Sequence, residues 1–89
     1  MKPKNRRASP ELRHRFGTNL KRLRLAKGWS QIELARRSGL TNNQISKLER
    51  ELLNSSMANI EALAVALECL EVDLFWPLKQ DTKDGNQEP

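Results

Sequence analysis

Gly39 stands between two stretches that each open on a helix cap and are each too short to hold a helix without tertiary packing. Upstream, Ser30 and Glu33 have capping-box spacing: the hydroxyl is expected to cap the Glu33 amide while the carboxylate reaches back to the cap residue. Downstream, Thr41 and Gln44 repeat that spacing. A glycine at the junction supplies the positive φ that lets the second stretch leave at a large angle, and Ala35 is small enough for the two to approach. Leu34 and Ala35 on the first stretch, and Ile45 and Leu48 on the second, would then face a common interior.

The flanking sequence supplies the body on which such a pair can pack. Ser9-Pro10-Glu11 reads as a helix start: a preferred cap, a proline suited to the first position, and an acid at the positive end of the dipole. Leu12, Phe16, Leu20 and Leu23 follow at helical spacing, and Gly28 closes that helix. Ser55 or Ser56 opens a fourth helix with Met57, Ile60, Leu63, Ala64 and Leu67 as its apolar positions. After Glu68-Cys69-Leu70, a short fifth helix is expected from Glu71 to Phe75, ended by Pro77. β-formers are scarce, with no Tyr, two Phe and two Trp, and only Val65 and Val72 as valines. The expectation is an all-α, compact five-helix domain over residues 9–78. A flexible basic arm (residues 1–8) would precede it, and a disordered polar tail (residues 79–89) would follow.

Charge divides the chain. Residues 1–50 carry 14 Lys/Arg against 3 Asp/Glu, whereas residues 51–89 carry 2 against 8, for a net +5 overall. The first half is suited to a polyanion, the second to solvent or a partner. No apolar run approaches the roughly 18 residues of a membrane span, and the basic start lacks the apolar segment of a secretory signal. Cys69 is the only cysteine and His14 the only histidine, so neither an internal disulfide nor a metal cluster is expected. No nucleophile–base pair, glycine-rich phosphate loop or other enzyme signature is recognisable. A cytoplasmic, non-enzymatic protein without cofactor fits best.

The pieces FG..LKRLR at 16–24, GWSQIELARRSGLT at 28–41, ISKLER at 45–50, NSSMANIEALAVAL at 54–67 and DLF at 73–75 agree in one register. Together they resemble the phage-repressor (Xre/Cro-like) helix-turn-helix family, with its lambda-repressor-like fold and the motif at helices 2 and 3. The resemblance implies double-stranded DNA as partner. It places Ser30 and Gln31 at a phosphate and Thr41, Asn42, Asn43, Gln44 and Lys47 at base edges, with Arg50 on the backbone. The chemistry is compatible: Asn and Gln pair bidentately with adenine, and Lys donates to guanine. Arg24 and Glu49 match a family ion pair linking the first and third helices. Arg36 and Arg37 either touch phosphates or keep the second helix soluble. Lys2, Lys4, Arg6 and Arg7 form either an arm on the duplex or a solvated tail.

Several positions depart from the family pattern. Glu51 replaces the usual glycine after the third helix, which is therefore expected to run on toward Asn54. Leu52 and Leu53 replace a commonly basic loop, Ser55 stands where proline is common, and Glu68 and Leu70 replace a glycine and a polar cap. Leu53, Leu70, Val72 and Trp76 include more apolar surface than a five-helix core readily hides, and are candidates for a dimer surface. The function implied is a transcriptional regulator, a repressor or autoregulator, acting as a homodimer on a pseudo-palindromic operator. The alternative is an antitoxin-like or other module that uses the same fold to bind a protein.

Overall fold

The computed structural model describes residues 8–77; the segments 1–7 and 78–89, and with them most of the expected arm and all of the expected tail, lie outside the described residues. Four α-helices run in order, α1 (Pro10–Ala26), α2 (Gln31–Ser38), α3 (Asn42–Glu49) and α4 (Met57–Leu67), followed by one 3₁₀ turn at Glu71–Leu74. Among the described residues there is no strand. The all-α expectation holds, but the fifth helix is reduced to that 3₁₀ turn, in which Asp73 Oδ2 accepts from the Leu70 N–H at 2.9 Å.

Each α-helix starts at a hydroxyl. The side chains of Ser9, Ser30, Thr41 and Ser56 accept from the backbone N–H three residues on, which satisfies a donor the helix cannot. Gly39 ends α2 with φ of 84°, the left-handed conformation that turns the chain into α3. The core is a single cluster around Leu20, Leu34, Ile45, Leu48, Leu63 and Leu74, to which every helix and the 3₁₀ turn contribute. Met57, read from sequence as an inward position, is instead 85% exposed, because it begins α4 before the helix meets the core.

α3 does not run on toward Asn54. Glu51 adopts φ of 67°, and the N–H groups of Glu51 and Leu52 close onto the carbonyls of Leu48 and Lys47 at 3.1 and 2.9 Å. This is a Schellman termination with glutamate in glycine's place. α4 ends the same way: Glu68 has φ of 58°, and the N–H groups of Glu68 and Cys69 meet the carbonyls of Val65 and Ala64. Both left-handed glutamates are held by bases of the first forty residues, Glu51 by His14 Nδ1 at 2.8 Å and Glu68 by Lys27 Nζ at 2.7 Å. The Lys27 contact holds the Glu68 carboxyl below its ordinary value.

Two further features fix the frame around α3. At Gly17 a Cβ would lie 2.7 Å from the Leu48 carbonyl oxygen, so only glycine lets α1 pass the end of α3 this closely. Asn19, buried in α1, donates from Nδ2 to the carbonyls of Leu74 and Trp76 at 3.2 and 3.0 Å and accepts from Arg22 Nη2. It ties the 3₁₀ turn to α1 through backbone groups that would otherwise be buried unpaired.

Candidate nucleic-acid interface

α3 exposes its amino end because only Ile45 and Leu48 on it are buried. Thr41, Asn42 and Asn43 at that end are exposed, as are Lys47 one turn on and Arg50 at the carboxyl terminus. Asn43, Lys47 and Arg50 recur at four and three residues and so share one face. Gln44 differs from its neighbours. It is half-buried, and its Oε1 accepts from the Thr41 N–H at 2.9 Å while Thr41 Oγ1 accepts from the Gln44 N–H at 3.0 Å. This completes a reciprocal capping box.

The start of α2 is built differently. Ser30 Oγ caps the Glu33 N–H at 3.1 Å, but the Glu33 carboxylate does not return to the cap residue. It accepts instead from Arg36 and from Arg37 Nε, the latter at 2.6 Å. Two guanidiniums one turn away outcompete a neutral backbone N–H, because charge-assisted bonds are roughly twice as strong. They also hold the Glu33 carboxyl below its ordinary value of 4.5, and the Arg36 guanidinium is raised in turn. Arg36 is therefore already engaged by Glu33, and Arg37 additionally lies 4.3 Å over the Trp29 ring.

Gln31, the first residue of α2, is also committed within the protein. Its Nε2 donates to Glu49 Oε1 at 3.0 Å. The same carboxylate takes Arg24 Nε at 2.6 Å and Nη2 at 2.9 Å, and Arg24 Nη1 donates to the Trp29 carbonyl at 2.8 Å. The side chains of Arg24 and Glu49 are only 8% and 4% exposed. This network fixes the starts of α2 and the end of α3 to α1, and so sets how the two exposed amino ends sit together.

Of the remaining candidates, Leu70, Val72 and Trp76 are 66%, 50% and 62% exposed. Leu53 is not in their company. The turn at Glu51 carries the chain back over the core, where Leu53 packs and lines a cavity with Leu12, Phe16, Ile60 and Phe75. His14, exposed on α1, is engaged by Glu51. Asn19, Gly17 and the Glu51 turn were missed in the sequence. The one signal for Asn19 was a polar residue three after Phe16, on the apolar face of α1.

Among the described residues no group of three or more His, Cys, Asp or Glu side chains could hold a metal ion. No described helix is long and apolar enough to cross a membrane.

A small all-α domain that presents the exposed amino end of α3 across a glycine turn from α2 is the architecture of a helix-turn-helix protein. The sequence profile described as "Helix-turn-helix" matches residues 20–75, and the chain belongs to that HTH_3 family of DNA-binding transcription regulators. A protein of Neisseria meningitidis described as a hypothetical transcription factor is 38% identical over 73 residues, covering 82% of this chain and 69% of the relative. The crystal structure of a hypothetical transcription factor from Neisseria superposes with a TM-score of 0.75 at 34% identity, covering 93% of this chain and 95% of that one. The restriction-modification controller protein C.AhdI of Aeromonas hydrophila is similar at 43% identity and a TM-score of 0.69, over 71% of this chain and 96% of the controller.

Proposed function

We propose that this chain is a sequence-specific double-stranded DNA-binding regulator, a repressor or autoregulator, that works in the cytoplasm as a homodimer on a pseudo-palindromic operator. The observation that carries the reading is the exposed face of α3, on which Thr41, Asn42, Asn43, Lys47 and Arg50 are uncovered beside a helix-turn-helix turn. An α-helix so presented fits a major groove, where Asn pairs with adenine and Lys with guanine acceptors. The start of α2, with Ser30 and Gln31, would receive a backbone phosphate. Its amides suit an anion, and Glu33, the nearest carboxylate in sequence, is drawn toward Arg36 and Arg37. Arg50 would add a backbone contact, with Arg36 a weaker one because of its partner.

Two copies are invoked because one such module reads only a few base pairs. Leu70, Val72 and Trp76 supply the uncovered apolar surface for the second copy. In this reading residues 9–78 are the DNA-binding domain. The basic residues of 1–8 are either an arm for the duplex or a solvated segment, and 79–89 is an appended polar tail.

The test is a binding titration on duplex DNA across salt concentrations. Lys47→Ala is expected to reduce discrimination between sites by about 1–3 kcal/mol, whereas Arg50→Ala weakens all sequences alike and lowers the salt slope by about one. Unchanged discrimination and slope in both variants would overturn the assignment. Trp76→Ala is expected to shift sedimentation toward monomer.

One observation favours a second reading, an antitoxin-like module that binds a protein: α4 leaves Met57 and Val65 uncovered, at 85% and 71% exposure. Loss of a protein complex on Val65→Glu, with DNA binding intact, would support it.

A further inference from the structure

A cavity of about 280 Å³ lies between α1, the loop after α3, α4 and the residue that closes the 3₁₀ turn. Its walls are Leu12, Phe16, Leu53, Ile60 and Phe75, with the Phe16 and Phe75 ring centroids 5.3 Å apart. Among the described residues that line it there is no Asp or Glu, and Arg13 is the one cation. Arg13 is half-buried, its Nε is shut off from solvent without a hydrogen-bond partner, and no described carboxylate pairs with its guanidinium. A shielded donor left unpaired is unfavourable and calls for a partner.

Apolar walls with a single charged group are the usual form of a small-molecule site. The chain's own outer segments suit this cavity poorly. Residues 1–7 carry Lys2, Lys4, Arg6 and Arg7 and no acid, so they offer Arg13 no side-chain counter-charge. Residues 78–89 do carry acids, but Leu78 is their one large apolar side chain, too little to fill apolar walls. We propose that the cavity binds a small amphipathic monoanion, a carboxylate on an aromatic or short aliphatic body. The single cation sets the charge at one. A cavity of about 150 Å³ holds a benzene ring, so this one has room for such a ring with its carboxylate. A small turn of the guanidinium brings Nε and one Nη to the carboxylate as a bidentate pair, while the body packs on the two phenylalanine rings. None of these contacts uses the exposed face of α3, so the site stands apart from the DNA-binding reading.

An NMR titration of the full chain with sodium benzoate, and in parallel with benzamide, tests this at constant ionic strength. Benzamide keeps the shape and lacks the charge. Benzoate is expected to give saturable shifts at the backbone amides of Leu12, Arg13, Leu53 and Phe75, and to raise the melting temperature with concentration. It should bind on the order of tenfold tighter than benzamide. Arg13→Met keeps the aliphatic stem without the charge and should bring the two affinities together. Equal affinities in the wild type would overturn the proposal, as would no saturation by either compound or shifts confined to exposed basic residues such as Lys21 and Arg50. A folded Arg13→Met that still prefers benzoate would overturn it too, and the wild-type comparison decides the matter even if that variant fails to fold.

Discussion

The starts of α2 and α3 are written with the same spacing, Ser30-x-x-Glu33 and Thr41-x-x-Gln44, yet only the second closes a reciprocal box. The difference lies one turn downstream. Arg36 and Arg37 follow Glu33 by three and four residues and take its carboxylate, whereas Lys47 and Leu48 stand at those positions after Gln44, whose neutral amide stays at the helix end. A capping box is thus a competition, decided by whether its third side chain carries a charge that cations one turn on can take: Glu33 does and Gln44 does not. The outcome leaves two unlike amino ends side by side: α2 starts on an open backbone suited to an anion, and α3 starts on a closed one that presents side chains.

The largest break in this comparison should come from Glu49, which holds Gln31 at the start of α2 and Arg24 below it. Glu49→Ala strands a buried guanidinium and is expected to cost about 3–5 kcal/mol in urea denaturation. A loss below about 1 kcal/mol would mean that the network does not hold the two helices together. Next in size are the caps. Thr41→Ala removes a hydroxyl from a closed box and Ser30→Ala from an open one, so a cost of about 1–2 kcal/mol is expected for the first and about 1 kcal/mol or less for the second. Equal losses would show that the reciprocal bond contributes nothing.

Glu33→Gln should convert the open end into the closed kind. A neutral amide is no longer pulled by the two arginines, so it should return to the Ser30 N–H and slow hydrogen exchange there. Stability should change little, because exposed ion pairs contribute little. Exchange at Ser30 as fast as in the wild type would contradict the competition. The smallest effect is in acid. Glu33 and Glu68 are held below the ordinary carboxyl value of 4.5 by Arg36 with Arg37 and by Lys27, respectively. Their contribution is complete above pH 4.5 and fades as pH falls through the lowered values. Melting temperature should decline modestly with acidification below that point, and Glu33→Gln should flatten part of the decline.

The sequence made the helices legible because their punctuation is local: hydroxyl caps, Pro10, Gly39 and the apolar spacing all act within a turn or two. It also predicted the α3 box, whose neutral Gln44 amide gives Lys47 no charge to draw away. What it hid depends on contacts between distant segments. Nothing local says that Glu51 and Glu68 take a glycine's conformation, and their side-chain partners, His14 and Lys27, come from packing. The Leu53 assignment failed for the same reason, since the Glu51 turn decides which way that side chain faces. That Gln44 sits half-buried while its neighbours Asn42 and Asn43 are exposed also depends on how α3 packs. The exposed face of α3 was legible as a polar stretch, because Asn42, Asn43 and Lys47 fall between its apolar positions Ile45 and Leu48 and the turn.

The most direct test of the central claim is enrichment of sites from random duplex DNA at near-physiological salt. A two-fold symmetric motif, with half-sites about one helical turn apart, is the predicted result. No enriched motif, together with binding that vanishes as salt rises, would mean non-specific phosphate contact alone and would contradict it.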